Sequence, residues 1–173
     1  VDISADTWRA PTSCTELQYR RKARLGVRVV GTQVLVGFRE SFSNRVSRMD
    51  SCLTLTTNLS DLIPPLKAVI AACSQPSTIP QIELAEGDNG VVVIVRHLEI
   101  LTKNDLAEWQ AFERDAGVTV LLQPKGYDSV HLLSLGDKSD DLPELSYQVG
   151  QVSMKFDARQ FTQVNAAMNE VLV

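Results

Sequence analysis

The sequence predicts a single α+β domain in which antiparallel β-hairpins alternate with helices packed on the sheet. Three observations carry that expectation. Runs of alternating apolar residues come in pairs, and each pair is joined by a short turn-forming link, which makes antiparallel neighbours. Stretches with apolar residues at helical spacing fall between those pairs. The 173 residues are 44% hydrophobic and 22% charged. That is ordinary globular composition, and a chain of this length buries about 70% of its unfolded surface without staples.

Taken in order, residues 1–18 read as an irregular entry, because Pro11, Thr12 and Ser13 break any periodicity. Ala23 to Val30 alternates and is rich in valine, Gly31-Thr32 is a turn, and Gln33 to Arg39 returns as the second strand of a hairpin. Arg45 to Met49 is a candidate short third strand. Asn58 or Ser60 can cap a helix running to about Cys73, with Leu62, Leu66, Val69 and Ile70 as its buried face. Pro64-Pro65 is tolerated only in a first turn, so the stretch splits into two short helices or starts near Pro64.

Gln81 to Glu86 and Val91 to His97 form a second hairpin across Gly87-Asp88-Asn89-Gly90, four residues of strong turn chemistry. Thr102 caps the next helix, with Asp105 three residues on, and Leu106, Trp109, Phe112 and Glu113 carry it to Gly117. A third hairpin pairs Val118–Leu122 with Val130–Leu135. Gly136 to Pro143 follow as a polar loop, and Leu145–Val149 and Val152–Phe156 make a final hairpin. Phe161 to Val173 has helical spacing but ends in three apolar residues without a cap. That ending predicts a helix leading into a further domain.

Composition excludes several classes. No apolar run approaches the ~20 residues a membrane helix needs, so no membrane partner is expected. No signal peptide is visible, and three cysteines (Cys14, Cys52 and Cys73) without a closely spaced pair argue for a reducing compartment, here the cytoplasm. His97 and His131 lie in apolar runs and read as structural. There is no nucleophile elbow, phosphate-cradling glycine loop or zinc-protease motif. Asp50, Glu83 and Asp140-Asp141 are scattered. By its residues alone this is a binding or support domain, expected to be a monomer.

Charge is unevenly spread. Residues 1–48 carry nine Lys/Arg against four Asp/Glu, while the rest carry eight against seventeen. Within the basic part, Tyr19-Arg20-Arg21-Lys22-Ala23-Arg24-Leu25-Gly26-Val27-Arg28 is the strongest local feature. On a strand, Arg20, Lys22, Arg24 and Arg28 share one face and Ala23, Leu25, Val27 and Val29 the other. Arg39 on the return strand falls beside the cations. Such a ladder suits phosphate, because a planar guanidinium matches phosphate oxygens two at a time. It also suits a solubilising sheet edge.

Four motifs occur in a fixed order: Tyr19 to Leu25, then Val36-Gly37-Phe38-Arg39, then Asp50-Ser51-Cys52, then Phe161-Thr162-Gln163-Val164-Asn165. Together they resemble the central part of bacterial 23S rRNA (uracil-5)-methyltransferases of the RumA type, over roughly Tyr19 to Val173. The resemblance implies an S-adenosylmethionine-dependent methylation of uracil C5 in large-subunit ribosomal RNA. In that reaction a cysteine thiolate adds to C6, C5 takes the methyl group, and a carboxylate removes the C5 proton. It implies residues 19–160 as the RNA-contacting central domain, and 161–173 as the start of a link to a methyltransferase domain that holds the nucleophile and the base. The chain alone is then expected to be inactive.

The resemblance also implies site residues. Cys52 falls at the fourth ligand position of a 4Fe-4S cluster, with Leu53 where the family usually has proline. Gln163 falls where the family contacts S-adenosylmethionine. Arg20, Lys22, Arg24, Arg28, Arg39, Phe161 and Asn165 fall where RNA is contacted, with Arg24 nearest the target nucleotide. One cysteine cannot hold a cluster, so neither cofactor is expected on this chain alone. The alternative from a different class is a freestanding α+β interaction domain whose basic strand binds a protein or a generic polyanion.

Overall fold

The computed structural model describes residues 10–133 and 142–173. The first half of the predicted entry segment, the end of the third predicted hairpin (Ser134 and Leu135) and most of the polar loop, with Asp140-Asp141, lie outside these residues.

Strands β1 (Lys22–Val30), β2 (Gln33–Gly37), β3 (Gln81–Gly87), β4 (Gly90–Arg96), β5 (Thr119–Gln123) and β6 (His131–Leu132) form one sheet in the order β2-β1-β3-β4-β5-β6. The predicted hairpins are present, with Val30 opposite Gln33 and Gly87 opposite Gly90. The sheet is mixed, however, because β4 and β5 run parallel, Val93 beside Val120. The chain between them is helix α3 (Lys103–Ala116), and a helical crossover brings the chain back to start a parallel strand. Arg45 to Met49 makes no third strand and contributes one bridge, Val46 to Arg39.

Helix α3 begins as the sequence predicts. The Thr102 hydroxyl accepts from the Asp105 N–H, and the Asp105 carboxylate accepts from the Thr102 N–H at 2.8 Å. It ends at Gly117, whose φ of 64° suits a residue without Cβ. The earlier helical stretch is two helices, α1 (Thr57–Asp61) and α2 (Ile63–Ala72), with Pro64 and Pro65 in the first turn of α2. The cap of α1 is Thr56, not Asn58 or Ser60. Its hydroxyl reaches Leu59 N–H, whereas Ser60 turns inward to accept from the Cys52 N–H at 2.9 Å.

Helices α1, α2 and α3 cover one face of the sheet. Leu25, Val36, Ile82, Leu84, Val93 and Val120 pack there against Leu59, Leu66, Ile70 and Trp109, all fully or nearly fully buried. Trp109 meets Phe112 edge to face, at 5.6 Å between centroids. The opposite face is half covered by the last hairpin, β7 (Glu144–Val149) and β8 (Val152–Asp157), whose Leu145 and Phe156 pack on Ala85, Val92, Ile94 and Leu121. The turn at Asp88-Asn89 fastens this hairpin. Asp88 N–H donates to Ser146 O at 2.6 Å, and Asn89 Oδ1 accepts from Ser146 N–H at 2.8 Å.

The C-terminal helix α4 (Ala166–Leu172) is shorter than predicted, and its N-terminus is capped by the Asn165 side chain accepting from Met168 N–H. Phe161 to Asn165 is not helical, because Asn165 pairs as a bridge with Arg20 and the Val164 carbonyl accepts from Arg21 N–H at 3.0 Å.

A cationic face on an open half-sheet

The half of the sheet face left open by β7–β8 carries the predicted basic ladder. Register puts Arg24 opposite Glu83 and Arg28 opposite Leu35. Arg24 is exposed, and its Nε lies 3.2 Å from a Glu83 carboxylate that is only 5% exposed. The Tyr127 hydroxyl donates to the same carboxylate at 3.0 Å, Gln81 Nε2 donates at 2.9 Å, and Arg24 also donates to the Tyr127 oxygen. Burial first, and the adjacent Glu83 second, hold the Tyr127 hydroxyl above its ordinary pKa, so it stays a donor. The result is one guanidinium held in place over a buried anion, with its remaining N–H groups facing water.

Beside it the face is hollow. Gly26 stands opposite Gly37, and the segment after β2 folds back over the pair. A Cβ on Gly26 would meet Val46 Cγ2 at 2.9 Å and Arg39 Cγ at 3.1 Å, so the Arg39 stem lies over Gly26, between Arg24 and Arg28. Arg28 donates to Asn44 O at 3.0 Å from under the same segment. Arg24, Arg28 and Arg39 therefore gather as the sequence predicts. Arg96 joins them on this face from β4, in register with Gln81 and Gln123.

Other predicted contacts are differently engaged. Lys22 lies on the right face, but its ammonium donates to Ala158 O at 2.7 Å and to Gln160 O, and burial lowers its pKa against the pull of Glu83 and Asp157. Lys22 fastens the strand to the chain after β8 and is not available to a phosphate. Arg20 is half-buried, its backbone bridging Leu55 and Asn165. Asn165 caps α4 and also donates to Cys14 Sγ at 3.3 Å, so its side chain is already in use. Phe161 and Gln163 are exposed, Phe161 at 85%. Near them a cleft of about 400 Å³ is lined by Tyr19, Arg21, Thr56, Asp88, Asn165 and Glu170.

Cys52 lies half-exposed beside Thr54, with Sγ 3.3 Å from the Thr54 hydroxyl. Burial pushes its thiol up, but hydrogen bonds from Thr54 and the Leu55 and Thr54 N–H groups, with Arg20 nearby, outweigh burial and lower it. Such a thiol suits metal ligation. Among the described residues no three His, Cys, Asp or Glu side chains converge, so a cluster does not fit on this chain alone; Cys52 offers one thiolate of the four required. Cys73 is buried, donates to Val69 O at 3.3 Å and is pushed up to about 11, chiefly by burial, as an inert core thiol. His97 is buried and His131 half-buried, each with Nδ1 on a nearby carbonyl.

Sequence reasoning missed Glu83, Tyr127 and Arg96. The alternation in Gln81-Ile82-Glu83-Leu84-Ala85 carried a signal, since it puts Glu83 on the face of Gln81 and Ala85. Nothing short of strand order could bring Tyr127, forty-four residues on, to the same carboxylate.

An α+β sheet with one cationic, half-open face is the class of architecture defined here. The same fold is found in the crystal structure of a Pyrococcus abyssi tRNA (uracil-54, C5)-methyltransferase in complex with S-adenosyl-L-homocysteine. The TM-score is 0.62, with 15% identity over 91% of this chain and 40% of that one. No protein-family profile matches the chain. Individual relatives do. A 23S rRNA (uracil(1939)-C(5))-methyltransferase RlmD of Albidiferax ferrireducens is 42% identical over 99% of this chain and 36% of its own length. The RlmD of Hahella chejuensis is 43% identical over 87% of the chain and 34% of its length, and that of Acinetobacter baumannii 34% identical over 99% and 37%. By sequence the chain is similar to these 23S rRNA (uracil-C5)-methyltransferases over most of its own length, and it spans about a third of the length of the relatives it matches.

Proposed function

We propose that this chain is the RNA-positioning part of an S-adenosylmethionine-dependent enzyme that methylates uracil C5 in large-subunit ribosomal RNA. The observation that carries the reading is the open half-sheet, where Arg24 is pinned over buried Glu83 and flanked by Arg28 and Arg39. Fixed guanidiniums lose little freedom on meeting a phosphate and confer register on the RNA. The target uridine must leave its stack to be methylated, and a rigid cationic face beside it supports that exposure.

On this reading residues 19–160 hold RNA, and 161–173 lead toward residues that carry the nucleophile and the base. Gln163, exposed in that segment, contributes to the site for S-adenosylmethionine, the methyl donor. Cys52 supplies one thiolate to an iron–sulfur cluster whose other ligands lie outside this chain. Arg20, Phe161 and Asn165 shape the junction. The chain alone binds RNA as a monomer, without methylating it, and works in the cytoplasm.

The test is RNA binding across a salt series. For single-stranded RNA, log K falls with log salt at about 0.7 per phosphate contact. Arg24→Ala is expected to weaken binding and flatten that slope by about 0.7, whereas Arg114→Ala on the helix-covered side changes neither. Equal effects of the two variants would remove the half-sheet from the interface.

A further inference from the structure

The segment between β2 and α1 carries a feature that the basic ladder does not use. Phe42 is completely exposed, at 110% of its reference area, on a chain with only five phenylalanines. Its φ is 56°, in the left-handed region that a bulky residue without a reason seldom occupies. The turn that holds it there is well bonded. Glu40 N–H donates to Arg45 O at 3.0 Å, Ser43 N–H to Glu40 O at 3.3 Å, and Arg45 N–H to Ser43 Oγ at 2.9 Å. Val46 anchors the far end in the hollow over Gly26. An aromatic ring is thus presented to solvent at a backbone cost, on a loop fastened at both ends.

The loop that carries it borders a cationic, concave cleft, lined by the neighbours of Phe42 in sequence and not by Phe42 itself. A cleft of about 520 Å³ opens between the loop and the β1–β2 hairpin. Val30 and Leu35 supply apolar surface, and Arg28 and Arg45 supply charge, with Glu40 as the one acid in the lining. Arg28 is steadied by its bond to Asn44 O. Arg39 and Arg48 flank the loop in sequence, so four guanidiniums accompany one carboxylate. An exposed ring on a loop that also carries arginines meets the needs of an unpaired nucleotide, whose base stacks while its phosphates meet arginine. A duplex keeps its bases in its own stack and offers this ring nothing.

We infer that the 39–48 loop is a single-strand RNA subsite in which Phe42 stacks on an unpaired base while Arg28 and Arg45 contact the flanking phosphates. The inference rests on the RNA-binding reading above and extends it from the strand face to this loop. It also explains why a strained position keeps a phenylalanine where asparagine would sit at lower cost.

The experiment measures binding of the chain to a labelled twelve-nucleotide single-stranded RNA of mixed sequence and to a duplex of the same length. Phe42→Asn suits the left-handed backbone, so its melting temperature is expected to equal or exceed that of the wild type. Its affinity for the single strand is expected to fall about 5- to 150-fold, the range of one lost base stack, with duplex binding unchanged. Phe42→Trp restores the single-strand affinity, and Arg45→Ala flattens the salt slope while Phe42→Asn leaves it alone. Wild-type single-strand affinity in Phe42→Asn, with Arg24→Ala still impaired, overturns this inference and leaves the broader reading standing. Absence of RNA binding by the wild-type chain overturns both.

Discussion

The glycine pair beneath the 38–47 segment offers a quantitative test of how the cationic face is built. Replacing Gly26 by alanine adds a Cβ 2.9 Å from Val46 Cγ2 and 3.1 Å from Arg39 Cγ. Carbon atoms pack comfortably at about 3.5–4.0 Å, so the loop must retreat by roughly half an ångström or more. Val46 is buried and, being β-branched, cannot swing aside cheaply. Overpacking of this kind costs about 1–3 kcal/mol. Alanine regains about 0.4–1 kcal/mol by restricting the unfolded chain. The net expectation runs from no loss to a loss of about 2.6 kcal/mol, with weaker RNA binding because Arg39 moves. Gly37→Ala should cost more, since its Cβ would run into the Ser47 carbonyl, and backbone cannot rotate away as a side chain can. Urea unfolding at constant m reads both. A Gly26→Ala variant more stable than the wild type, or a Gly37→Ala variant milder than Gly26→Ala, would refute this packing.

Three further outcomes are expected. Glu83→Gln keeps the shape but loses the charge that Arg24, Tyr127 and Gln81 share; a destabilisation of about 1–2 kcal/mol is expected, with Arg24's share discounted for its exposure. An unchanged urea midpoint would show that this carboxylate is held no better than in water. Burial works against the Asp105 charge, but donors from Ser74 and Thr102 outweigh it and hold the carboxyl near 2, below its value of 3.8 in an unfolded chain. Its contribution of about 2 kcal/mol is therefore present above pH 4 and disappears as pH falls toward 2, so the deficit of Asp105→Asn should narrow over that window; a deficit constant with pH contradicts it. Alkylation at neutral pH should modify Cys52 well before buried Cys73, and mass spectrometry of the early product showing Cys73 labelled first would reverse the assignment.

Much of this fold was legible because its signals are local. The Thr102–Asp105 box, the Gly87–Gly90 turn and the alternation of Ala23 to Val30 are set by residues within a few positions of one another. The parallel pairing of β4 with β5 was not legible, since it depends on which way α3 returns the chain. The candidate site divides in the same way. Arg24, Arg28 and Arg39 could be grouped from strand alternation and one turn, whereas Lys22 looked identical to them until the chain after β8 took its ammonium. Glu83 and Tyr127 meet only through tertiary structure, and Phe42 looked like any loop residue before its φ and exposure were known.

Whether this chain positions RNA for uracil methylation is read out by counting methyl groups. The polypeptide to use carries this chain with its native flanking sequence at the length of the relatives, purified without oxygen. It is given labelled S-adenosylmethionine and unmodified 23S rRNA, and 5-methyluridine is quantified after digestion. The expected result is label at uracil C5, loss of most transfer in Arg24→Ala, and no transfer by the 173-residue chain alone. Absence of 5-methyluridine from a preparation that binds the RNA, or full transfer by Arg24→Ala, would contradict it.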